Sequence, residues 1–307
     1  MDSLRAGRYG DVGSLLVARH GVLVLDEYFG IDYRDELVPL ASATKSFTSA
    51  LIGLAVDGGL VAGPGAALHS LLPGYADLFA ADSTKRPITL EHVLTMTTGL
   101  DWDESWPPAL EPADSGDLVR LVLRQPLVDQ PGTRFRYSTG GTLILSAVLL
   151  QAYGISAEQT AVRRLFGPLG INSYLWTTDS TGLTPTGSGL SLRARDMAKL
   201  GQLYLDGGLF RSRRVLSEGW VAGSTTPHST PAGGYGYGYL WWLFPDTTVT
   251  GEGATAGGFF ASGAGDKYVI VLPRLDIVVV VTAYNNTSII DPLDFVIAEI
   301  LPAVQGR

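Results

Sequence analysis

The runs that favour extended structure gather at the two ends of this 307-residue chain, and the middle reads as helix. Ser14 to His20 (S-L-L-V-A-R-H) and Val22 to Phe29 (V-L-V-L-D-E-Y-F) are β-rich runs joined near Gly21, the pattern of a hairpin. At the other end, Gly234 to Phe244 and Ala256 to Gly265 are β-like. Lys267 to Leu272 (K-Y-V-I-V-L) and Asp276 to Ala283 (D-I-V-V-V-V-T-A) are stronger still, around Pro273-Arg274. Between them the periodicity is helical, clearest over 90–98, 115–124, 142–153, 157–166 and 195–205, and Ile290 to Ile300 reads as a closing amphipathic helix. Strands at both ends with helices between predict an α+β fold. An α/β sandwich domain with one antiparallel sheet would be built from both termini, over 1–62 and 227–307, with an inserted helical domain over 63–226.

One helix does not fit an ordinary amphipathic plan. The run S-A-T-K-S-F-T-S-A-L-I-G-L-A-V-D-G-G begins at Ser42, places Phe47, Leu51, Leu54 and Ala55 at helical spacing, and stops at Gly58-Gly59. It is apolar on nearly every side and so should be buried. Ser42 and Lys45, three residues apart, share a face of its first turn. Lysine there opposes the helix dipole, and at the edge of a core it is costly to desolvate unless paired or neutral. A capped helix with a snorkelling lysine is one reading of the tetrad. The other is chemical: a serine hydroxyl becomes a nucleophile when a base within hydrogen-bond reach takes its proton, and a buried lysine of lowered pKa is such a base.

Composition narrows the partners. The net charge of -8 argues against nucleic acid and anionic membrane surfaces. The absence of cysteine removes disulfides, thiol catalysis and thiolate metal sites. None of the four histidines, His20, His69, His92 and His228, is spaced from another as a zinc pair, so no metal and no cofactor is expected. The N-terminal stretch lacks the apolar core of a signal peptide, and no apolar run reaches the roughly 18–20 residues of a membrane span, which reads as cytoplasmic.

Two further stretches bear on Ser42. Phe135-Arg136-Tyr137-Ser138-Thr139-Gly140 precedes a helix and directs a phenol to a turn, where Tyr137 either packs or shares a proton with Lys45. Ala261-Ser262-Gly263-Ala264-Gly265 is a small-residue strand, either a bulge or a place where substrate approaches the backbone.

Taken together, S-x-x-K, Y-S-x and the small-residue strand resemble the penicillin-recognising serine hydrolases. The chain looks most like the branch of class C β-lactamases and family VIII carboxylesterases, which includes 6-aminohexanoate-dimer hydrolases. The resemblance runs over nearly the whole chain, including L-T-M-T-T-G-L and G-L-S-L-R-A-R-D-M-A-K-L-G-Q-L-Y-L-D-G-G. It implies Ser42 as the acylated nucleophile, Lys45 as its proton partner and Tyr137 as the activating tyrosine. It also implies Ala261-Ser262-Gly263 in place of the K-T-G strand, with the N–H groups of Ser42 and Ala264 as the oxyanion hole. The chain departs from the pattern in lacking K-T-G, and in ending the Y-x-N form with Thr139. Both departures lower the β-lactamase reading and fit an esterase or a nylon-oligomer-type amidase better, with the esterase as the leading reading. An amidase acting on aminohexanoate or D-amino-acid amides is the alternative, and a non-catalytic binding homologue is a third reading. Substrate contacts are expected from Ser262, Gly263, Thr139, Trp102 and Trp242, with Trp106 and Trp241 as further aromatic candidates. Asp101, Asp103 and Glu104 read as a solvated acidic loop, or as a site for a substrate ammonium. The implied partner is a small ester or amide; oligomeric state is left open.

Overall fold

The computed structural model describes residues 1–30, 33–104, 116–245, 257–285 and 290–304. The β-rich ends of the chain form one antiparallel sheet. Its seven strands are β1 (Val12–Arg19), β2 (Val22–Tyr28), β3 (Gly236–Tyr237), β4 (Trp242–Leu243), β5 (Phe259–Gly263), β6 (Lys267–Leu272) and β7 (Ile277–Ala283), in the order β2-β1-β7-β6-β5-β4-β3. The N-terminal β1 lies against the C-terminal β7, with Leu15 opposite Val281 and Val17 opposite Val279. The sheet therefore closes only when both ends of the chain are present.

The period of two sorts side chains into two cores. Leu16, Val269, Val278 and Val280 face the helical layer. Leu15, Ile270, Val279 and Val281 face the other way, covered by Leu4, Tyr9, Leu293, Phe295 and Val296. That cover is less regular than the single amphipathic helix expected over 290–300. Asp291 caps Pro292–Phe295 by accepting from Leu293 N (2.8 Å), and the chain then widens into a π-helical turn over Val296–Ile300 before Leu301–Val304.

The all-round apolar run becomes α1 (Thr44–Asp57), in which eleven of 14 residues are buried. Such a helix needs its polar residues satisfied inside the core. Ser46 Oγ donates to Leu240 O (2.8 Å) and Thr48 Oγ1 to Thr186 O (2.7 Å). Three more helices frame the site: α2 (Leu118–Arg124), α3 (Thr139–Tyr153) and α4 (Ala194–Leu205). Helix α3 starts three residues earlier than its periodicity suggests. Ser138 caps it, accepting from Gly141 N at 2.8 Å, which offsets the cost of a Gly-Gly pair in the first turn. Helix α4 falls within 63–226, yet it packs on the sheet, where Gly201 sits against Val269 and Val278. Among the described residues no single helix is long and apolar enough to cross a membrane.

Candidate active site

Ser42 lies on a 3₁₀ turn, Ala41–Ala43, that runs directly into α1. The sequence places Ser42 inside the helix; the structure sets it one tighter turn ahead. The cause is local. Ala41 takes a left-handed φ of 47°, a conformation that costs a non-glycine residue about 1–2 kcal/mol. Leu40 holds it there, donating to Leu190 O (2.8 Å) and accepting from Ala43 N (3.1 Å). The Ser42 hydroxyl caps neither the turn nor the helix. Its oxygen instead lies 3.1 Å from Lys45 Nζ.

Lys45 is buried, with 2% of its surface exposed. Besides Ser42, its ammonium nitrogen reaches Thr139 Oγ1 (3.0 Å) and Gly187 O (2.8 Å), and it lies 4.9 Å from the centroid of the Tyr137 ring. The segment bearing Gly187 is fixed on both sides. Thr184 N donates to Ser146 Oγ (2.9 Å), and Thr186 Oγ1 donates to Thr142 O (2.6 Å). Burial brings the Lys45 pKa down to about 7, against the pull of Glu104 in the other direction. Burial pushes the Tyr137 phenol up to about 12, opposed by a hydrogen bond with Ser42. Both shifts favour the uncharged form, so near neutral pH the tyrosine keeps its proton and the lysine is poised between states.

The end of β5 touches the serine turn. A Cβ on Gly263 would stand 2.1 Å from Leu40 O and 3.2 Å from Ala43 N, so only glycine lets the strand approach this closely. Ala264 follows, exposed in the turn after β5. The N–H of Ser42, in the first turn of its helical segment, has no acceptor within that segment. The end of β5 is thus packed on the turn that carries Ser42, through Gly263 against Leu40 and Ala43.

The remaining expected residues are placed as follows. Trp242 on β4 stacks on Tyr137 (centroids 6.0 Å, planes 23° apart) and is half-buried. Trp102 is half-buried, and its indole lies where a Cβ on Gly140 would be, against the first turn of α3. Trp241 is fully buried against Tyr204 (4.6 Å) and Phe259 (5.2 Å), a core residue and not a cleft wall. Trp106 lies outside the described residues. Ser262 is paired across the strands with Tyr268 and shares a hydrogen bond with its phenol, on the side of the sheet opposite Ala261.

Thr139 and the acidic loop differ most from expectation. The Thr139 hydroxyl is already engaged, between Lys45 and Glu104 Oε2 (2.8 Å), while Glu104 Oε1 accepts from Thr139 N. Asp101 pairs with Arg136 (3.5 Å). Glu104 is thus exposed yet engaged through both oxygens by Thr139, and neither it nor the carbonyl of Gly187 carries a sequence motif. The one available signal was Thr at position 139, since a hydroxyl that donates to one neighbour can accept from another. Among the described residues no group of three or more histidines and carboxylates comes together to hold a metal.

Known proteins share this arrangement of elements. A family model described as Beta-lactamase matches residues 6–290. The 6-aminohexanoate-dimer hydrolase of Paenarthrobacter ureafaciens is 27% identical over 239 residues, which is 68% of this chain and 55% of that protein. The chain thus spans little more than half the length of this curated relative. EstCE1, described as a hydrolase with promiscuous acyltransferase activity, superposes with a TM-score of 0.75 at 19% identity, over 92% of this chain and 91% of that one. The octameric penicillin-binding protein homologue of Pyrococcus abyssi superposes with a TM-score of 0.74 at 20% identity, over 99% and 75%. At these identities the two structures share the fold.

Proposed function

Because this chain belongs to the beta-lactamase family and carries its serine-hydrolase fold, we propose that it cleaves carboxylic esters through an acyl-enzyme on Ser42. The observation that carries the reading is the 3.1 Å approach of Lys45 Nζ to a serine oxygen that caps no helix. In this reading Lys45 takes the Ser42 proton as Oγ bonds to the substrate carbonyl carbon. The N–H groups of Ser42 and Ala264 receive the developing oxyanion. The carbonyl–oxygen bond then breaks, the Tyr137 phenol gives its proton to the departing alkoxide, and the proton on Lys45 replaces it. Water repeats the sequence on the acyl-enzyme, releasing the acid and restoring Ser42. The stacked Tyr137 and Trp242 rings supply an apolar wall for the acyl group.

The same chemistry serves amides, and the relative named as an aminohexanoate-dimer hydrolase favours testing them. The third reading, a binding module without turnover, leaves unexplained why a buried lysine is kept against the serine. Turnover of p-nitrophenyl butyrate, 6-aminohexanoate dimer and nitrocefin, side by side, decides among these. Nitrocefin is expected to be turned over slowly or not at all beside the ester, because Ala261 stands where a cation would meet the β-lactam carboxylate. Nitrocefin hydrolysis faster than ester hydrolysis would reverse this ranking.

Acid should silence the enzyme. With its pKa brought down to about 7, Lys45 loses its lone pair as the pH falls through that value. Ester kcat/KM is expected to rise with pH, flatten on the alkaline side of neutral, and drop about tenfold per unit on the acid side. A flat profile across neutral pH would remove Lys45 as the base.

A further inference from the structure

The polarity of the hydrogen bonds around Lys45 has a further consequence, which rests on Lys45 acting as the base proposed above. Among the described residues its nitrogen meets three oxygens: Ser42 Oγ at 3.1 Å, Thr139 Oγ1 at 3.0 Å and Gly187 O at 2.8 Å. A neutral amine offers two N–H donors and one lone pair. The Gly187 carbonyl only accepts, so it takes one N–H. A threonine hydroxyl works in either direction, and its neighbour decides which. The Glu104 carboxylate binds Thr139 at two points, accepting from its backbone N–H through Oε1 and lying 2.8 Å from Oγ1 through Oε2. An ionised carboxylate has no proton to give. The Thr139 hydroxyl must donate to Glu104, and its lone pair then turns to Lys45 and takes the second N–H. Only the lone pair of Lys45 is left for Ser42.

The geometry points to Glu104 as the positioning residue that aims the lone pair of Lys45 at Ser42, acting through the hydroxyl of Thr139. The serine proton then already lies on its transfer path before substrate arrives. Without the carboxylate, Thr139 is free to donate to Lys45 itself, and Ser42 then receives an N–H in place of a lone pair. Among the described residues the ionisable groups facing Lys45 are Tyr137, by its ring face, and Glu104.

The test uses isosteric and truncated variants of the full chain, assayed on p-nitrophenyl butyrate. In Glu104→Gln the Thr139 N–H still requires an oxygen, so the amide nitrogen faces Thr139 Oγ1 and donates to it. The hydroxyl proton is thereby driven onto the Lys45 lone pair. Glu104→Gln is expected to lose roughly 10–100-fold in kcat, a share of what general-base help is worth, and at least as much as Glu104→Ala. An effect of size or capping alone gives the opposite order. In a Thr139→Asn background the side-chain carbonyl accepts from Lys45 whatever stands at 104. There Glu104→Ala is expected to cost less than about threefold, because the coupling has gone. In both Glu104 variants of the wild-type background the acid limb of the pH profile is expected to move to lower pH, since a negative charge near the lysine has been removed. The inference is overturned if Glu104→Gln stays within about threefold of wild type while Ser42→Ala is inactive. It is equally overturned if the Glu104→Ala loss persists in the Thr139→Asn background, or if the acid limb does not move. Undiminished turnover by Ser42→Ala would overturn the reading of Ser42 as the nucleophile and Lys45 as its base, and this inference with it.

Discussion

Ser42→Ala is expected to abolish ester hydrolysis and to leave the fold intact. The two halves of that expectation have separate grounds. Chemically, Ser42 Oγ is engaged by both Lys45 and Tyr137, and the residue is half-buried. Without it no acyl-enzyme forms, and the drop in kcat should be about 10⁴–10⁶-fold, the span seen when a nucleophile that acts with its base is removed. Structurally, the hydroxyl caps no helix, and alanine suits a 3₁₀ turn. Losing its hydrogen bonds with Lys45 and Tyr137 should cost on the order of 1–2 kcal/mol. Melting temperature and turnover measured on the same preparation check both. Turnover within tenfold of wild type by a clean preparation would remove Ser42 as the nucleophile.

Lys45→Ala and Tyr137→Phe should each lose roughly 10²–10⁴ in kcat, the usual extent of general-base help. Their combination should lose little more than the larger single loss. The reason is that both serve one relay: Lys45 receives the Ser42 proton, Tyr137, bonded to the same hydroxyl, gives its own to the leaving group, and the proton on Lys45 replaces it. Groups that work as a unit are not additive. The structure also separates their roles more than the sequence does. The lysine nitrogen sits 4.9 Å from the centroid of the Tyr137 ring, and burial holds the phenol protonated, up to about 12. Tyr137→Phe keeps the ring that stacks on Trp242, so its loss reads the phenol alone. A double-mutant cycle on an activated ester measures the coupling, and losses that simply multiply would mean that one of the two is structural.

Much of the fold was legible because both sheet and buried helix write a period into the sequence. Val279 and Val281 had to face one core and Val278 and Val280 another, and β7 does so. The all-round apolar pattern after Ser42 admitted only a buried helix, and Lys45 was conspicuous in it. Boundaries were less legible where a single side chain sets them, as Ser138 does for α3 and Ala41 for the serine turn. The parts of the site that sequence hid are the ones made of backbone or of ambivalent groups. The Gly187 carbonyl carries no residue-type signal, and the Thr139 hydroxyl has a direction only once Glu104 is known to face it. Trp241 and Trp242 are adjacent in sequence and alike in type, yet one, just ahead of β4, is core and the other, on β4, stacks on Tyr137.

Covalent labelling with a fluorophosphonate tests the nucleophile most directly, because it reads bond formation at one oxygen without depending on the natural substrate. Intact mass followed by peptide mapping is expected to find a single adduct, on Ser42. Labelling should slow as the pH falls below about 7 and Lys45 takes up its proton. The adduct should be absent from Ser42→Ala. An adduct on another residue, or undiminished labelling of Ser42→Ala, would contradict it.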